Sequence, residues 1–465
     1  MNKLLPFSIF LFLFMIYECR CEIVTDNTLI WRVGTATTVI TPKESIWMGG
    51  YADRIKPAKE KLHDLWAKAI YLQDANGHLA LLITCDLIGF SKSISDRVKN
   101  KLYDKLGLDK AQIILNTSHT HSGPATSDNL INIYPLNNKQ LMLIDKYTEW
   151  LCEQLVELSM KAKQNCEPAK VFSQNGTVRF QVNRRNNIEP ELTNLSELKG
   201  PNDYSVPVLK IEDVRGNIKA IVFGYACHPT VLNGYQWSGD YPGFAQIELE
   251  KNYPEVVAMF FQGAGADQNP LPRRSISLAK QYGKELAAAV EQVISEPMQE
   301  LHSEIATIYT EILLDFDSIP TERELRENEK EMTGYEKKWA ESMLAKLKRK
   351  GSLPTSYSYP IQVWRLGNQV IICLGGEVLI SYAIRLKKML GENIFVMGYS
   401  NDVTGYIPPD SELLTKRGEE IQSSHFEFDL PSKWKLGTED AILKEVLSLI
   451  RQIGMLTKPE SITNF

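Results

Sequence analysis

A chain of 465 residues, 43% hydrophobic and 23% charged, carries ample apolar material for a large core. A formal net charge of -5 implies no broad basic face, which argues against a nucleic-acid binder. Beyond the N-terminus, no run is long and apolar enough to span a bilayer.

The N-terminus reads as a targeting segment. Met1-Asn2-Lys3 is a short basic start, Leu4 to Tyr17 is almost wholly apolar, and Cys19 and Cys21 suit the small positions of a cleavage site. Residues 1–21 are therefore expected to be a signal peptide and the mature chain to be exported, periplasmic or extracellular; an uncleaved anchor is the other reading. Cleavage leaves Cys85, Cys152, Cys166, Cys227 and Cys373, an odd scatter unlike a disulfide framework. Cys85, Cys227 and Cys373 sit in apolar runs and read as buried small hydrophobes, while a Cys152–Cys166 pair stays open.

Trp31 to Ile40 is β-prone and stopped by Thr41-Pro42, and Met48-Gly49-Gly50-Tyr51-Ala52 follows as a glycine-rich loop. Strands are expected at Ala67–Leu72 and Leu79–Asp86, joined by a turn at Asp74 to Gly77. Ile94, Val98, Leu102 and Leu106 recur at helical spacing and predict a helix over Ser91–Leu106. A strand over Gln112–Ser118 then makes a β-α-β unit, which favours a parallel crossover.

That strand runs into Asn116-Thr117-Ser118-His119-Thr120-His121-Ser122-Gly123-Pro124. Two imidazoles two residues apart on an extended chain project to one side, where the strand runs out. They read as half of a metal centre, or as two satisfied polar residues on a turn; a lone H-x-H is a weak signal.

A helix near Lys139–Lys163 comes next, then strands at Lys170–Gln174, Pro207–Glu212 and Lys219–Ala226, the last running into Cys227-His228-Pro229-Thr230. A helix near Phe244–Lys251 precedes a buried strand, Ala258–Gln262, that enters Gly263-Ala264-Gly265-Ala266-Asp267-Gln268-Asn269-Pro270. A helix at Ile276–Ile294 follows. Pro320 to Lys350, dense in Glu and Lys, reads as a solvated helix or helix pair. Strands at Ile361–Arg365 and Gln369–Leu374 lead into Gly375-Gly376-Glu377, and a helix at Leu379–Leu390 and a strand at Ile394–Gly398 lead into Tyr399 to Tyr406. No repeat or linker divides the chain, so one large α/β unit with mixed β-sheets flanked by helices is expected.

His119 and His121, His228, Asp267 and Asn269, Glu377 and Tyr406 all stand where a strand gives way to small residues. Open α/β sheets gather their sites beyond strand ends in this manner. Among the seven histidines, His78, His302 and His425 read as surface residues and His63 is undecided. Imidazole and carboxylate suit Zn²⁺, and three or four protein ligands with an open position describe a catalytic site. Such a metal lowers the pKa of its water from ~15.7 to roughly 7.

The motif from Asn116 to Pro124 resembles the zinc-site motif of the neutral (non-lysosomal) ceramidases. The likeness continues in order through Val33-Gly34-Thr35-Ala36, Met48 to Ala52, Val182-Asn183-Arg184, Ala226 to Thr230, Ser238-Gly239-Asp240-Tyr241-Pro242-Gly243, Gly376-Glu377 and Ser400 to Tyr406. The resemblance implies zinc held by His119, His228, Glu377 and Tyr406. It gives His121 to the substrate carbonyl or to proton transfer and Arg184 to polar groups of the substrate. It also implies cleavage of the amide of N-acylated sphingoid bases, a lipid-like small-molecule substrate, with peripheral contact to membrane lipid.

Two departures bear on this. Asn269 stands where the family carries a catalytic serine; asparagine donates to an oxyanion but is no nucleophile, so a zinc-activated water survives the change and a serine-acyl route does not. One lost oxyanion donor typically costs ~10²–10³ in rate. Second, no C-terminal immunoglobulin-like domain is expected beyond the hydrolase domain at residues 22–465, and Gly418 stands where the family tends to place a tyrosine. The expectation is a secreted zinc amide hydrolase in which His121 and Asn269 serve the oxyanion or the proton and Asp267 orients the loop. Its rivals are a zinc hydrolase of another amide or ester, and a non-catalytic exported binding protein.

Overall fold

The computed structural model describes residues 30–189, 192, 197–415 and 418–455. The leader expected at residues 1–21 lies outside them. Among the described residues no helix is long and apolar enough to cross a membrane.

Alternation along single strands decides the architecture. In Leu79–Cys85, Leu81, Ile83 and Cys85 join a cluster with Ile94, Val98 and Leu102 of the helix Lys92–Leu106 and Leu151 and Leu155 of the helix Asn138–Gln164. Ala80 and Leu82 point the other way, into a cluster shared with Trp364, Leu366, Ile371 and Cys373 of a second sheet. That second sheet buries its far face, Ile361, Val363, Val370 and Ile372, against the helices Ile380–Leu390 and Thr438–Gln452. The result is a sheet packed on a sheet with helices outside both, and both sheets are apolar on two faces because both are covered twice.

Among the described residues the larger sheet has nine strands. Its path runs Val257–Gln262, Ile218–Tyr225, Ser205–Asp213, Glu167–Thr177, Trp31–Val39, Trp66–Gln73, Leu79–Cys85 and Ile113–Thr117, with Gln299–Glu300 paired to Glu167–Thr177. Pairing is antiparallel through the middle and parallel at both edges, so the expected parallel crossover into Ile113–Thr117 is present. The two edges approach one another through Asn116. Its Oδ1 accepts from Gln262 N at 2.9 Å, and its Nδ2 donates to Gly398 O at 2.8 Å and Ser400 Oγ at 3.1 Å. Two strand ends of the larger sheet and the end of the smaller sheet are thereby drawn to one place.

The structure departs from the expectations in several respects. The smaller sheet begins with Ile305–Asp315, paired along its length with Ser356–Leu366; its mixed sequence, half-exposed on one face, carries too weak an alternation to read as a strand. The acidic-basic stretch forms two helices, Glu322–Glu331 and Gly334–Lys350, and the second is not merely solvated, since Trp339, Ala340 and Met343 are buried. Cys152 and Cys166 are both free thiols. His425 is buried against Trp339 and Phe426, not on the surface.

Candidate metal centre

His119 does not extend the strand before it. Ile113–Thr117 ends two residues earlier, and His119 takes φ 60, the left-handed region that a residue with a Cβ seldom adopts. The turn is fixed by its threonine: Thr120 Oγ1 donates to Ser238 O at 2.7 Å and accepts from Ser122 N at 3.1 Å. His119 and His121 therefore converge on one point by a turn rather than by strand pleat, their ring centroids 5.0 Å apart and nearly perpendicular. His228 follows the strand Ile218–Tyr225, with its N–H held by Gln268 O at 2.8 Å. Glu377 and Tyr406 come from segments far apart in sequence yet stand opposite one another in a two-residue parallel ladder, where paired residues face the same way.

Ligand atoms of His119, His121 and His228 lie within 4.8 Å of one another. Glu377 Oε2 is 3.3 Å from His119 Nε2 and 3.4 Å from His228 Nε2. The other nitrogen of each of these two rings is spoken for: His119 Nδ1 faces Ile88 O at 2.5 Å and His228 Nδ1 faces Gly265 O at 3.1 Å. A carbonyl on Nδ1 fixes the tautomer and presents Nε2 as a lone pair, the outer contact that metal-bound imidazoles use. His119 Nε2, His228 Nε2, Glu377 Oε2 and both ring nitrogens of His121 are buried without a hydrogen bond inside the protein. Five unsatisfied buried polar atoms converging on one point carry a heavy cost unless something bound there satisfies them. The donor set fits a metal ion.

The electrostatics agree. Burial pushes the His228 imidazole down to about 4, against a smaller opposing pull from Glu377. Burial drives His121 well below the ordinary imidazole value, helped by His119 and His228. For Glu377 burial works upward, but the two imidazoles outweigh it and hold the carboxyl well below its ordinary range.

The remaining expected residues are near but differently engaged. Arg184 Nη2 donates to the Tyr406 hydroxyl at 3.0 Å. Asp267 is buried beneath the site, with Oδ2 accepting from Asn183 Nδ2 and Oδ1 from Ile380 N, each at 2.9 Å, while its carbonyl accepts from Arg184 N. Asn269 is buried with Oδ1 accepting from Thr230 Oγ1 at 3.4 Å. The sequence reading missed three residues. Tyr399, at φ 50, is fully buried with an unpartnered hydroxyl and its ring 4.3 Å from that of His119. Tyr51 lies 4.6 Å from the His121 ring, and buried Arg54 donates to His121 O at 2.7 Å. Gly50, at φ 101, is required to be glycine, since a Cβ there would overlap the His121 ring. Only the glycine pair before Tyr51 hinted at so close an approach.

A family model described as "Neutral/alkaline non-lysosomal ceramidase, N-terminal" matches residues 31–272, more than half of the chain. The chain belongs to this family. The matched segment holds His119, His121, Arg184, His228, Asp267 and Asn269; Glu377 and Tyr406 lie beyond it and reach the site through the fold. Neutral ceramidase B of Dictyostelium discoideum is 27% identical over 286 residues, 57% of this chain and 39% of that protein. Neutral ceramidase of Pseudomonas aeruginosa is 22% identical over 262 residues, 52% of this chain and 38% of that protein. The chain thus aligns with less than two fifths of the length of these relatives. The crystal structure of neutral ceramidase from Pseudomonas aeruginosa superposes with a TM-score of 0.71 at 19% identity, over 92% of this chain and 76% of that one, so the ceramidase family shares this αββα fold.

Proposed function

We propose that residues 22–465 form an exported, zinc-dependent amide hydrolase that cleaves N-acyl bonds of ceramide-like lipids, after removal of a leader at residues 1–21. His119, His228, Glu377 and Tyr406 would hold the zinc: the first three converge through orphaned atoms, and the last is paired in register with Glu377. Arg184 donates to the Tyr406 hydroxyl and so helps to fix where the phenol oxygen lies. Bound there, zinc would supply a Lewis acid and a water acidic enough to attack at neutral pH.

His121 stands apart from the pairing between Glu377 and the other two imidazoles, and both its ring nitrogens await a partner. It would face the acyl carbonyl and pass the proton from the attacking water to the departing nitrogen, as the acyl carbon gains oxygen and its C–N bond breaks. Thr230 engages Asn269 Oδ1, which leaves the amide's N–H side to donate to the carbonyl oxygen. Asp267, tied to Asn183 and Ile380, would orient that loop.

The observation that carries the reading is the convergence of unsatisfied buried His and Glu atoms. Purified protein should contain about one zinc per chain. It should release fatty acid from a fluorescent N-acyl sphingosine and lose that activity on chelation. Zinc without hydrolysis of any acyl amide or ester would overturn it. A second reading, hydrolysis of a different N-acyl amide or an ester, is favoured by one feature. Gly418 lies where its Cβ would overlap the Arg185 guanidinium, so an arginine fills space beside Arg184 that an aromatic at 418 would need.

A further inference from the structure

The rim of the proposed site is rich in arginine. Arg54, Arg184, Arg273 and Arg274 all lie beside residues that touch the histidines, Tyr406 or the Asn269 loop, and Arg185 follows Arg184 in the chain. Most are neutralised or used in bracing: Arg185 lies 3.7 Å from Glu412, Arg273 is paired with Glu189 at 2.6 Å, and Arg54 holds backbone carbonyls. Arg274 differs. It is exposed, no carboxylate among the described residues pairs with it, and its guanidinium is anchored by Nη1 alone, to the Tyr51 hydroxyl at 2.9 Å and Thr230 O at 3.3 Å. Asp240, whose charge it feels, is fully buried and spends its oxygens on Leu232 N and Tyr241 N.

Two observations set this guanidinium apart from an ordinary surface arginine. Its backbone adopts φ 86, a costly conformation for a residue with a Cβ, and is held there by Arg274 N donating to Val231 O at 2.7 Å. Its side chain lies 5.5 Å from the centre of the Tyr51 ring, and that same ring packs 4.6 Å from His121. A pre-ordered guanidinium with most of its N–H groups turned to solvent thus stands one aromatic ring from the residue that faces the scissile bond.

Resting on the amide-hydrolase reading above, we propose that Arg274 reads an anionic group, carboxylate or phosphate, on the amine side of the substrate. The products give a further reason. Cleavage of a neutral N-acyl amino alcohol releases an amine that takes up a proton, and the one rim guanidinium without a carboxylate partner among the described residues, Arg274, repels that cation. An amine carrying a carboxylate or phosphate leaves with its charge compensated.

The experiment compares matched pairs that differ only in this group: N-lauroyl glycine against N-lauroyl ethanolamine for a carboxylate, and ceramide 1-phosphate against ceramide for a phosphate. The wild-type protein should favour the anionic member of at least one pair in kcat/KM, and the pair showing it identifies the group. Arg274→Gln should cut that preference about tenfold, through KM rather than kcat, as loss of one charge-assisted hydrogen bond would. Arg274→Lys should recover part of it, and added salt should erode it. Preference for the neutral member of both pairs, or an unchanged ratio in Arg274→Gln, overturns the proposal. If no amide is cleaved, the hydrolase reading fails and binding decides. Tighter binding of N-lauroyl glycine than of N-lauroyl ethanolamine by the intact protein, lost in Arg274→Gln, upholds the guanidinium contact; equal affinities overturn it.

Discussion

Half-buried His63 and the buried histidine cluster of the candidate centre are linked through Ser238 and have opposite chemistry. In one, His63 Nδ1 meets Asp64 O at 3.0 Å, His63 Nε2 meets Ser238 Oγ at 2.9 Å, and the ring edge packs on Phe244. Beside it Asp86 accepts from Trp66 N at 3.0 Å. In the other, His119, His121, His228 and Glu377 leave five atoms unpaired. Ser238 joins the two, since its carbonyl accepts from Thr120 within the histidine motif. A Ser-His pair near a buried Asp invites a catalytic reading, yet its hydrogen bonds are complete and it serves as scaffold. Unfilled valence, not residue type, separates site from support. Convergence matters too: Lys99 Nζ is equally unpartnered, but it stands alone beneath the Tyr309 ring, 4.8 Å from its centre.

The comparison breaks most readily at a ligand. His119→Ala should weaken metal affinity by more than ~10²-fold, since outer partners alone cost 10–100-fold, and abolish hydrolysis; zinc titration against a chelator reads the first directly. Next in size, Gly50→Ala should drive a methyl into the His121 ring and lower kcat by about 10²-fold with zinc retained. Loss of zinc in that variant would make His121 a ligand rather than a proton carrier. On the satisfied side, His63→Leu strands the Ser238 hydroxyl and should cost about 1–3 kcal/mol in urea unfolding while zinc content is unchanged. The smallest effect on hydrolysis is expected at Lys99, whose ammonium burial pushes down to about 7, with Lys110 adding to the shift. An unfolded lysine titrates near ~10.4, so between about pH 7 and pH 10 the unfolded chain holds a proton that the folded one lacks. Stability should therefore rise with pH across that window, and Lys99→Met should raise the melting temperature at neutral pH by a few degrees and flatten the rise.

Much of this was legible beforehand because strands buried on two faces write themselves as apolar runs: Leu79–Cys85, Ile113–Thr117, Val257–Gln262 and Gln369–Leu374 were all found, and the site residues follow three of them. Ile305–Asp315 was not, because a strand with one half-exposed face carries no such run. Tyr399 was passed over for a different reason. Its neighbours read as a polar loop, and only the fold brings its phenol against His119. The pairing of Asn116 with both sheet edges was likewise invisible, since a hub made of backbone partners leaves no pattern in sequence.

The ladder that aligns Glu377 with Tyr406 is only two residues long, Glu377–Val378 against Tyr406–Ile407. A slip of one position would set Gly405 or Ile407 opposite the carboxylate and turn the phenol away. What holds the alignment is local: Glu377 N donates to Gly405 O at 2.7 Å, Gly376 N to Asp402 O at 2.7 Å, and Trp434 Nε1 to Tyr406 O at 2.8 Å. The chain between them takes part as well: Tyr382, on the helix Ile380–Leu390, donates its hydroxyl to Pro408 O at 3.1 Å, and Tyr399 N donates to Gly376 O at 3.0 Å. Only the exposed turn at 391–393 after that helix stands clear of these contacts, so insertions there and single-residue deletions at 404–405 should have opposite fates.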